Sequence, residues 1–312
     1  MARLGHRLEY GVLRAVVWLL ELLPLDTARR IGAWLGRLGY RPLGIRREVV
    51  ERQIAGAFPG LGAAGVSRLA RRSYDHLGRM GIELTLLRSL GRERIGELFE
   101  DDNDFSLIEN AIRGGRGCVL FTGHVGSWEL TGAYVAWRGL DMDVVVRRMA
   151  NPLFDGYLNR TRSRLGMRVV YDSDAVRTIP RAIRDGRVVG LVADQGVLGL
   201  ASTYVPFFGR PAKTPRGPAV FAIRFDVPII FCAALLQPGG RYRFTAEVIP
   251  VADSGRRDAD IDETVRRFTH TLERTVRRYP EQYFWHHRRW KRQPPDTPQE
   301  LRDPVTHPVR AS

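Results

Sequence analysis

The sequence predicts an α/β fold with a mixed, largely parallel sheet flanked by helices. From residue 115 onwards, short apolar runs typical of strands alternate with longer segments of helical spacing. Alternation of this kind places helices on both faces of a parallel sheet. Later in the chain, VPIIFCAALL and YRFTAEVIP look like paired strands. With 312 residues, 44% of them hydrophobic and 27% charged, the chain has the composition of a folded globular protein.

The chain between residues 45 and 100 is predicted to be helical, because RREVVERQIAGAF and VSRLARRSYDHLGRMGIELTLL carry arginine and leucine at helical spacing. The run CVLFTG (118–123) is short, apolar and closed by glycine, which is typical of a buried strand. The elements that follow are helix SWELTGAYVAWRG, strand DVVVRR (143–148), helix 152–165 between the cap Asn151 and Gly166, strand MRVVY (167–171), helix Ala175–Arg184, strand RVVGLVAD (187–194), helix PAVFAIRFD, the two paired strands, and helix 261–278 before Pro280.

The N-terminal region is predicted to contact a membrane. Residues 10–25 read YGVLRAVVWLLELLPL, and a second apolar stretch follows at residues 31–40. A helix over residues 10–25 would be about 24 Å long, shorter than the roughly 30 Å hydrocarbon core, and Pro24 is expected to break it. We therefore expect a helix that lies in or enters the membrane, and the alternative is an amphipathic helix packed on the core. The basic residues expected near the headgroups are Arg7, Arg14, Arg29 and Arg30.

The charge balance is strongly basic, with 49 basic and 34 acidic residues, a formal net charge of +15 and a pI near 10.7. Such a charge favours anionic partners, which are nucleic acid, anionic lipid headgroups or a phosphorylated substrate. Cys118 and Cys232 both lie in apolar runs without ligand-like neighbours, so we interpret them as buried thiols rather than as a disulfide or a metal site.

His124 is the first candidate for chemistry. It directly follows CVLFTG, so we expect it at the carboxyl end of a strand, where open α/β sheets bind ligands. Glu129 lies five residues later, an offset that separates side chains by about 140° on a regular helix. The two side chains meet only if His124 lies on a turn and Glu129 in the first turn of the next helix. A carboxylate on one imidazole nitrogen leaves the other free to accept a proton from a hydroxyl. The alternative is a capping histidine with a glutamate at a helix start.

The segment HVGSWE (124–129) resembles the H-x4-D/E motif of the glycerolipid and lipid A acyltransferases. The wider pattern is similar to the bacterial lipid A late acyltransferase family, the lauroyl and myristoyl transferases, over roughly residues 8 to 294. The HVGSWE version also resembles the related mannoside acyltransferases. The further stretches that agree with the family in order and spacing are VVVRRMANPLFDGYLNRTRSRLGM, GRVVGLVADQ, TYVPFFGRPAKTPRGPAVFA and EQYFWHHRRWKRQP.

This resemblance implies a glycerolipid acyltransferase-like fold, with His124 as general base and Glu129 as its orienting carboxylate. It also implies functional roles for Arg162, which follows an N-P pair, and for Asp194 at a strand end. Acyl transfer from a thioester needs a deprotonated hydroxyl and a stabilised oxyanion, and an arginine or turn amides can supply the latter. No G-x-S-x-G elbow occurs, which fits direct attack by the acceptor hydroxyl. The predicted substrate-binding residues are Arg147, Arg164, Gly123 and Gly126.

A second basic cluster lies near the C-terminus and interleaves cations with aromatic residues. This pattern suits nucleic acid or a membrane interface that carries lipid phosphates, and the resemblance favours the interface. A metal site is not expected, because adjacent histidines point apart. The cluster consists of Trp285, His286, His287, Arg288, Arg289, Trp290, Lys291 and Arg292.

These observations predict an O-acyltransferase on the cytoplasmic face of the bacterial inner membrane. It would move a fatty acyl chain from acyl carrier protein, or from coenzyme A, to a hydroxyl of a lipid A precursor or related glycolipid. The expected partners are acyl carrier protein, the glycolipid acceptor and inner-membrane lipids, with no nucleic acid, metal or resident cofactor. The candidate acyl-pocket residues are Trp128, Phe207 and Phe208.

The predicted organisation is a membrane-associated helical segment (1–40), an acyltransferase domain (41–292) and a flexible tail (293–312). One alternative function keeps the chemistry and changes the acceptor to a phosphatidylinositol mannoside or an ornithine-type lipid. The other alternative belongs to a different class, a basic protein without catalysis that binds membrane or nucleic acid.

Overall fold

A six-stranded sheet forms the centre of the protein, seen in a computed structural model that describes residues 4–101, 104–196 and 201–308. The described strands are β1 (Cys118–Thr122), β2 (Met142–Val146), β3 (Met167–Tyr171), β4 (Val188–Val192), β5 (Ser202–Phe207), β6 (Arg210–Pro215), β7 (Ile229–Leu236) and β8 (Tyr242–Ile249). In the main sheet the order is β3-β2-β4-β1-β7-β8, and every neighbouring pair is parallel except β7–β8. The predicted mixed, largely parallel sheet is confirmed.

Helices flank this sheet. The helices that connect consecutive strands begin and end close to the predicted positions. Asn151 caps one of them as expected, since its side chain accepts a hydrogen bond from the Leu153 main-chain N–H. The described α-helices are α1 (Leu4–Glu21), α2 (Leu25–Tyr40), α3 (Arg47–Ala57), α4 (Ala63–Leu90), α5 (Ser106–Ile112), α6 (Trp128–Trp137), α7 (Pro152–Arg164), α8 (Ala175–Arg184), α9 (Gly217–Phe225) and α10 (Arg257–Arg278).

All five residues of strand β1 are buried. Because successive side chains point to opposite sides of a sheet, both faces of β1 are covered. On one face Phe121 packs against Phe268 of α10, with ring centroids 4.2 Å apart. On the other face Leu120 belongs to a cluster with Tyr134 of α6. Cys118 and Cys232 are buried free thiols, as predicted, and burial raises the pKa of Cys118 to about 12. Layers on both sides therefore fix the carboxyl end of β1, where His124 follows.

The N-terminal region forms two helices that meet at Pro24, rather than one long apolar helix. Within the described ranges, no helix combines the length and the apolarity that crossing a bilayer requires. Both helices expose large apolar side chains, so the membrane association of residues 1–40 stays a prediction. The most exposed of these side chains are Leu4, Leu8, Val12, Trp18, Leu19 and Trp34, and Leu22 between the two helices is exposed as well.

Helix α2 packs directly on α4 through glycines. A Cβ placed on Gly36 would lie 2.0 Å from the Tyr74 main-chain oxygen, so the two backbones are in direct contact. Arg29 of α2, which we expected near lipid headgroups, is instead 6% exposed and forms an ion pair with the buried carboxylate of Glu83 in α4. The position of residues 25–40 is therefore set by the body of the protein.

Residues 293–308 pack on the hairpin formed by β5 and β6, although we expected residues 293–312 to be a flexible tail. The guanidinium of Arg210 in β6 donates to the main-chain oxygens of Glu300 and Arg302, both at 2.8 Å. Asp303 is 5% exposed and pairs with Arg288. The proline and polar residues of this segment predicted a flexible tail, and nothing in the sequence indicated that the buried Arg210 would hold it. Residues 309–312 lie outside the described residues.

Candidate active site

The turn after β1 positions His124. Gly126 adopts a φ of +60°, and a Cβ there would lie 2.1 Å from the Ala234 main-chain oxygen, so only glycine fits. Ser127 then occupies the N-cap position of α6, and its main-chain N–H donates to the same Ala234 oxygen at 2.9 Å. The sequence prediction of His124 on a turn and Glu129 in the first turn of the next helix is thus correct.

Asp194 is the carboxylate that hydrogen-bonds His124. The imidazole Nδ1 lies 2.6 Å from Asp194 Oδ1, and the His124 main-chain N–H donates to Oδ2 at 3.0 Å. These contacts arise because β4 lies beside β1 in the parallel sheet, with Thr122 opposite Val192, so both strands end at the same edge. Gln195 Nε2 also lies 3.1 Å from Nδ1. Among the described residues, Nε2 of His124 has no hydrogen-bond partner and remains available for a substrate.

The electrostatics of this pair favour a charged Asp194. Burial alone raises the pKa of a carboxyl group, and Asp194 is 1% exposed. The charge and hydrogen bonds of His124, together with the charge of Arg289, outweigh that burial and lower the pKa of Asp194 to about 2. Asp194 is therefore ionised at neutral pH and can stabilise a proton on the imidazole.

Glu129 pairs with Arg162, which corrects the expectation that Glu129 orients His124. The guanidinium of Arg162 donates from Nε to Oε2 at 3.0 Å and from Nη2 to Oε1 at 2.5 Å. A bidentate guanidinium–carboxylate pair is stronger than one hydrogen bond to an imidazole, which explains the preference. Burial lowers the pKa of Arg162, but hydrogen bonding to Glu129 and its charge raise it overall.

The pair joins two elements of the site, since Glu129 belongs to α6 and Arg162 to α7. Nη1 of Arg162 also donates to Asn159 Oδ1 at 2.7 Å. The guanidinium is thus held by three hydrogen bonds and carries N–H groups beyond those in these bonds. The pair therefore fixes an arginine beside the helix that follows His124.

The remaining predicted arginines lie farther from these contacts. Arg147 follows β2 and pairs with Asp172, with Nε 3.2 Å from Oδ2. Arg164, the last residue of α7, is exposed. Within the described part of the chain, neither side chain contacts His124, Glu129 or Asp194, so their phosphate-binding role stays a prediction. Gly123 is close-packed instead, since a Cβ there would meet the Leu272 side chain at 2.7 Å.

Aromatic rings enclose the imidazole. The ring centroids of Trp128 and Phe284 lie 4.8 and 6.0 Å from that of His124. Both rings border a small pocket whose wall also contains Leu77 and Met80 of α4. This pocket begins beside His124 and is mainly apolar. The candidate acyl-pocket residues Phe207 and Phe208 lie elsewhere, in the buried core around Trp285.

The C-terminal cluster contributes to the core as well as to the site. Trp285 and Trp290 are fully buried, so neither can stack on a nucleic acid base or lie at a membrane interface. The Phe284 main-chain N–H donates to the His124 carbonyl at 2.9 Å, which attaches this segment to the turn after β1. The sequence signal for this contact was only the resemblance of EQYFWHHRRWKRQP to the closing segment of the family. No cluster of three or more metal-ligating side chains suited to a metal ion occurs within residues 4–101, 104–196 and 201–308.

Comparisons with known proteins show which family the sequence is similar to. A family model described as bacterial lipid A biosynthesis acyltransferase matches residues 7–292. The lipid A biosynthesis lauroyltransferase of Escherichia coli (strain K12) is 24% identical over 284 residues, which cover 91% of each chain. The lipid A biosynthesis palmitoleoyltransferase of the same strain is 24% identical over 281 residues, 89% of this chain and 90% of the relative. A phosphatidylinositol mannoside acyltransferase of Mycobacterium tuberculosis (strain ATCC 25618 / H37Rv) is 31% identical over 164 residues, 51% of each chain.

Proposed function

Because the chain belongs to the bacterial lipid A biosynthesis acyltransferase family, and is thereby an O-acyltransferase, we propose that it acylates a hydroxyl of a lipid A precursor or a related glycolipid. The proposed donor is a fatty acyl thioester of acyl carrier protein or of coenzyme A, and no resident cofactor takes part. The hydrogen-bonded His124–Asp194 pair at the carboxyl edge of the sheet is the observation that carries the proposal.

In the proposed mechanism, His124 acts as the general base. Asp194 accepts the Nδ1–H, which leaves the Nε2 lone pair to take the proton from the acceptor hydroxyl. The hydroxyl oxygen attacks the thioester carbonyl, and a tetrahedral oxyanion forms. When that intermediate collapses, the C–S bond breaks and the imidazolium returns the proton to the departing thiolate. The ester and the free thiol are the products, and His124 is regenerated.

Stabilisation of the oxyanion is assigned to Arg162 in this proposal. The main-chain N–H groups of His124, Gly126 and Ser127 already donate to Asp194, Gln282 and Ala234 within the protein. Those turn amides are therefore committed. Arg162 retains further N–H groups on a guanidinium that Glu129 holds in place.

The proposed location is the cytoplasmic face of the inner membrane. Support comes from α1 and α2, whose exposed apolar side chains have the character of a surface that contacts lipid. A phosphatidylinositol mannoside is the second candidate acceptor, because about half of the chain is 31% identical to an enzyme with that name.

Purified protein assayed with acyl carrier protein and coenzyme A thioesters, and with both acceptor classes, tests the proposal. We expect acyl ester formation that His124→Ala reduces by about 10²- to 10⁴-fold. His270→Ala, in the exposed part of α10, is the matched control and should leave the rate unchanged. Mass spectrometry of the lipid product identifies the acceptor. Full activity in folded His124→Ala protein, or no ester with any donor and acceptor, would contradict the proposal.

A further inference from the structure

A cationic pocket opens between the residues after β4, strand β6 and the C-terminal segment. Its cavity volume is about 130 Å³. Gly196 and His287 complete its wall, and no aspartate or glutamate is among the lining residues. The cations that line it are Lys213, Arg288, Arg289, Lys291 and Arg292.

Most of these cations are not neutralised by the protein. Arg288 forms an ion pair with Asp303, but Lys213, Lys291 and Arg292 have no carboxylate within 4.0 Å in the described parts of the chain. Among the described residues, the Arg292 guanidinium makes one long hydrogen bond, to the Gly196 oxygen at 3.5 Å. Like charges gathered around one concavity repel one another, and an anion bound among them removes that repulsion.

Arg289 shows that the pocket is a fixed structure rather than a group of mobile surface chains. It is 3% exposed, and its guanidinium donates to the Lys213 oxygen and to Thr214 Oγ1, both at 2.6 Å. Its main-chain N–H donates to Gln53 Oε1 at 2.8 Å. Within the described residues, the buried Nε has no hydrogen-bond partner. Leaving a donor of a buried cation unpaired is costly, and the negative charge of an anion in the adjoining pocket would offset that cost electrostatically.

The pocket adjoins the proposed active site. Gly196 directly follows Gln195, whose amide nitrogen lies 3.1 Å from His124 Nδ1. The pocket therefore lies at the same edge of the sheet as the proposed active site, one residue beyond the Gln195 contact to His124.

We infer that this pocket binds the phosphate of a substrate, with Lys213, Arg289 and Arg292 as its ligands. A phosphate ester offers several oxygens to these donors, and guanidinium groups bind phosphate oxygens in pairs. Two substrates could present that group: the phosphodiester in the arm of the acyl donor, or a phosphate on the glycolipid acceptor. The inference rests on the proposed acyl transfer for the identity of the ligand, but the binding itself does not depend on turnover.

Binding of inorganic pyrophosphate to the full chain tests the site without catalysis. We expect saturable binding that Lys213→Met and Arg292→Met each weaken by about tenfold or more, measured by calorimetry at fixed ionic strength. Arg116→Met is the matched control, because Arg116 is exposed and precedes β1, at the end of the strand opposite His124. No saturable binding, or equal weakening by Arg116→Met, would overturn the inference.

Steady-state kinetics then identify the substrate. If the donor's phosphate occupies the pocket, the two pocket variants raise the KM for the thioester about tenfold and leave the acceptor KM unchanged; an acceptor phosphate gives the reverse pattern. Lys213→Arg should restore the affected KM. Unchanged KM values for both substrates would refute the substrate-phosphate assignment. Failure of the proposed function looks different, since wild-type protein would then bind pyrophosphate and form no ester.

Discussion

Replacing Asp194 by asparagine keeps the side-chain shape and removes the charge that faces His124. The carboxylate accepts two hydrogen bonds, from the imidazole Nδ1 at 2.6 Å and from the His124 main-chain N–H at 3.0 Å. Asparagine has only one acceptor oxygen, so one of the two donors would face an amide N–H₂. The variant therefore disturbs both the tautomer of His124 and the stability of its protonated form.

The size of the effect follows from the pKa of Asp194. Its fall from 3.8 to about 2 corresponds to a net stabilisation of the anion by about 2 kcal/mol, at 1.36 kcal/mol per pKa unit. Burial opposes this shift, and the charge and hydrogen bonds of His124 together with the charge of Arg289 outweigh it. A transition state that places a proton on His124 loses stabilisation of this order, and we expect kcat to fall by about 30-fold.

Glu129→Gln provides the comparison, because Glu129 contacts Arg162 rather than His124. The assay is kcat and kcat/KM across pH, with circular dichroism to confirm folding. In Asp194→Asn we expect kcat to fall because the carboxylate that faces the imidazole is lost. Glu129→Gln leaves the contact between Asp194 and His124 intact and weakens the hold on Arg162 instead. The reasoning is refuted if folded Asp194→Asn keeps more than about a third of the wild-type kcat.

Two further predictions concern stability. Burial lowers the pKa of His76 to about 4, so between about pH 4 and 6.5 the unfolded chain binds more protons and stability rises with pH. Between pH 7 and pH 5, we expect His76 to account for the loss of about 2 kcal/mol of unfolding free energy. In urea titrations, His76→Gln should remove this contribution to the pH dependence of stability. His270→Gln, at an exposed position, should not. Gly36→Ala should destabilise the protein by about 3 kcal/mol or more, because the added methyl meets a main-chain oxygen of α4. Gly81→Ala, where a Cβ has open space, should be neutral or stabilising, and equal melting temperatures for the two alanine variants would contradict the packing argument.

Local patterns predicted most of the sheet and the helices between its strands. The signals given by Asn151, by Gly166 and by the apolar runs depend only on residues a few positions away. Helix α8 and strand β3 therefore begin and end where the sequence indicated. The hairpin of β5 and β6 was missed because its turn uses Phe208, with a φ of +52°, followed by Gly209. Turns with positive φ usually carry asparagine or aspartate before glycine, and a phenylalanine gives no such signal.

The partner of His124 depends on strand order, which local patterns do not contain. Glu129 is near His124 in sequence, whereas Asp194 reaches it only because β4 is the neighbour of β1. The sequence predicted that both carboxylates are functional, but it paired Glu129 rather than Asp194 with His124. Similarly, basic residues near Trp285 looked like a surface patch, and only the tertiary structure shows buried tryptophans behind a charged pocket.

The contact between Phe284 and His124 has a consequence for how the enzyme is made. Among the described residues, the other side chains that hydrogen-bond to the imidazole or stack on it are Trp128, Asp194 and Gln195, and all three precede α10 in the chain. Phe284 and Arg289 are translated only afterwards. At roughly 5–20 residues per second, the ribosome adds Phe284 several seconds after Gln195. We therefore expect the ring of Phe284 to reach the imidazole only after its segment has emerged and Arg289 has made its contacts with α3 and β6.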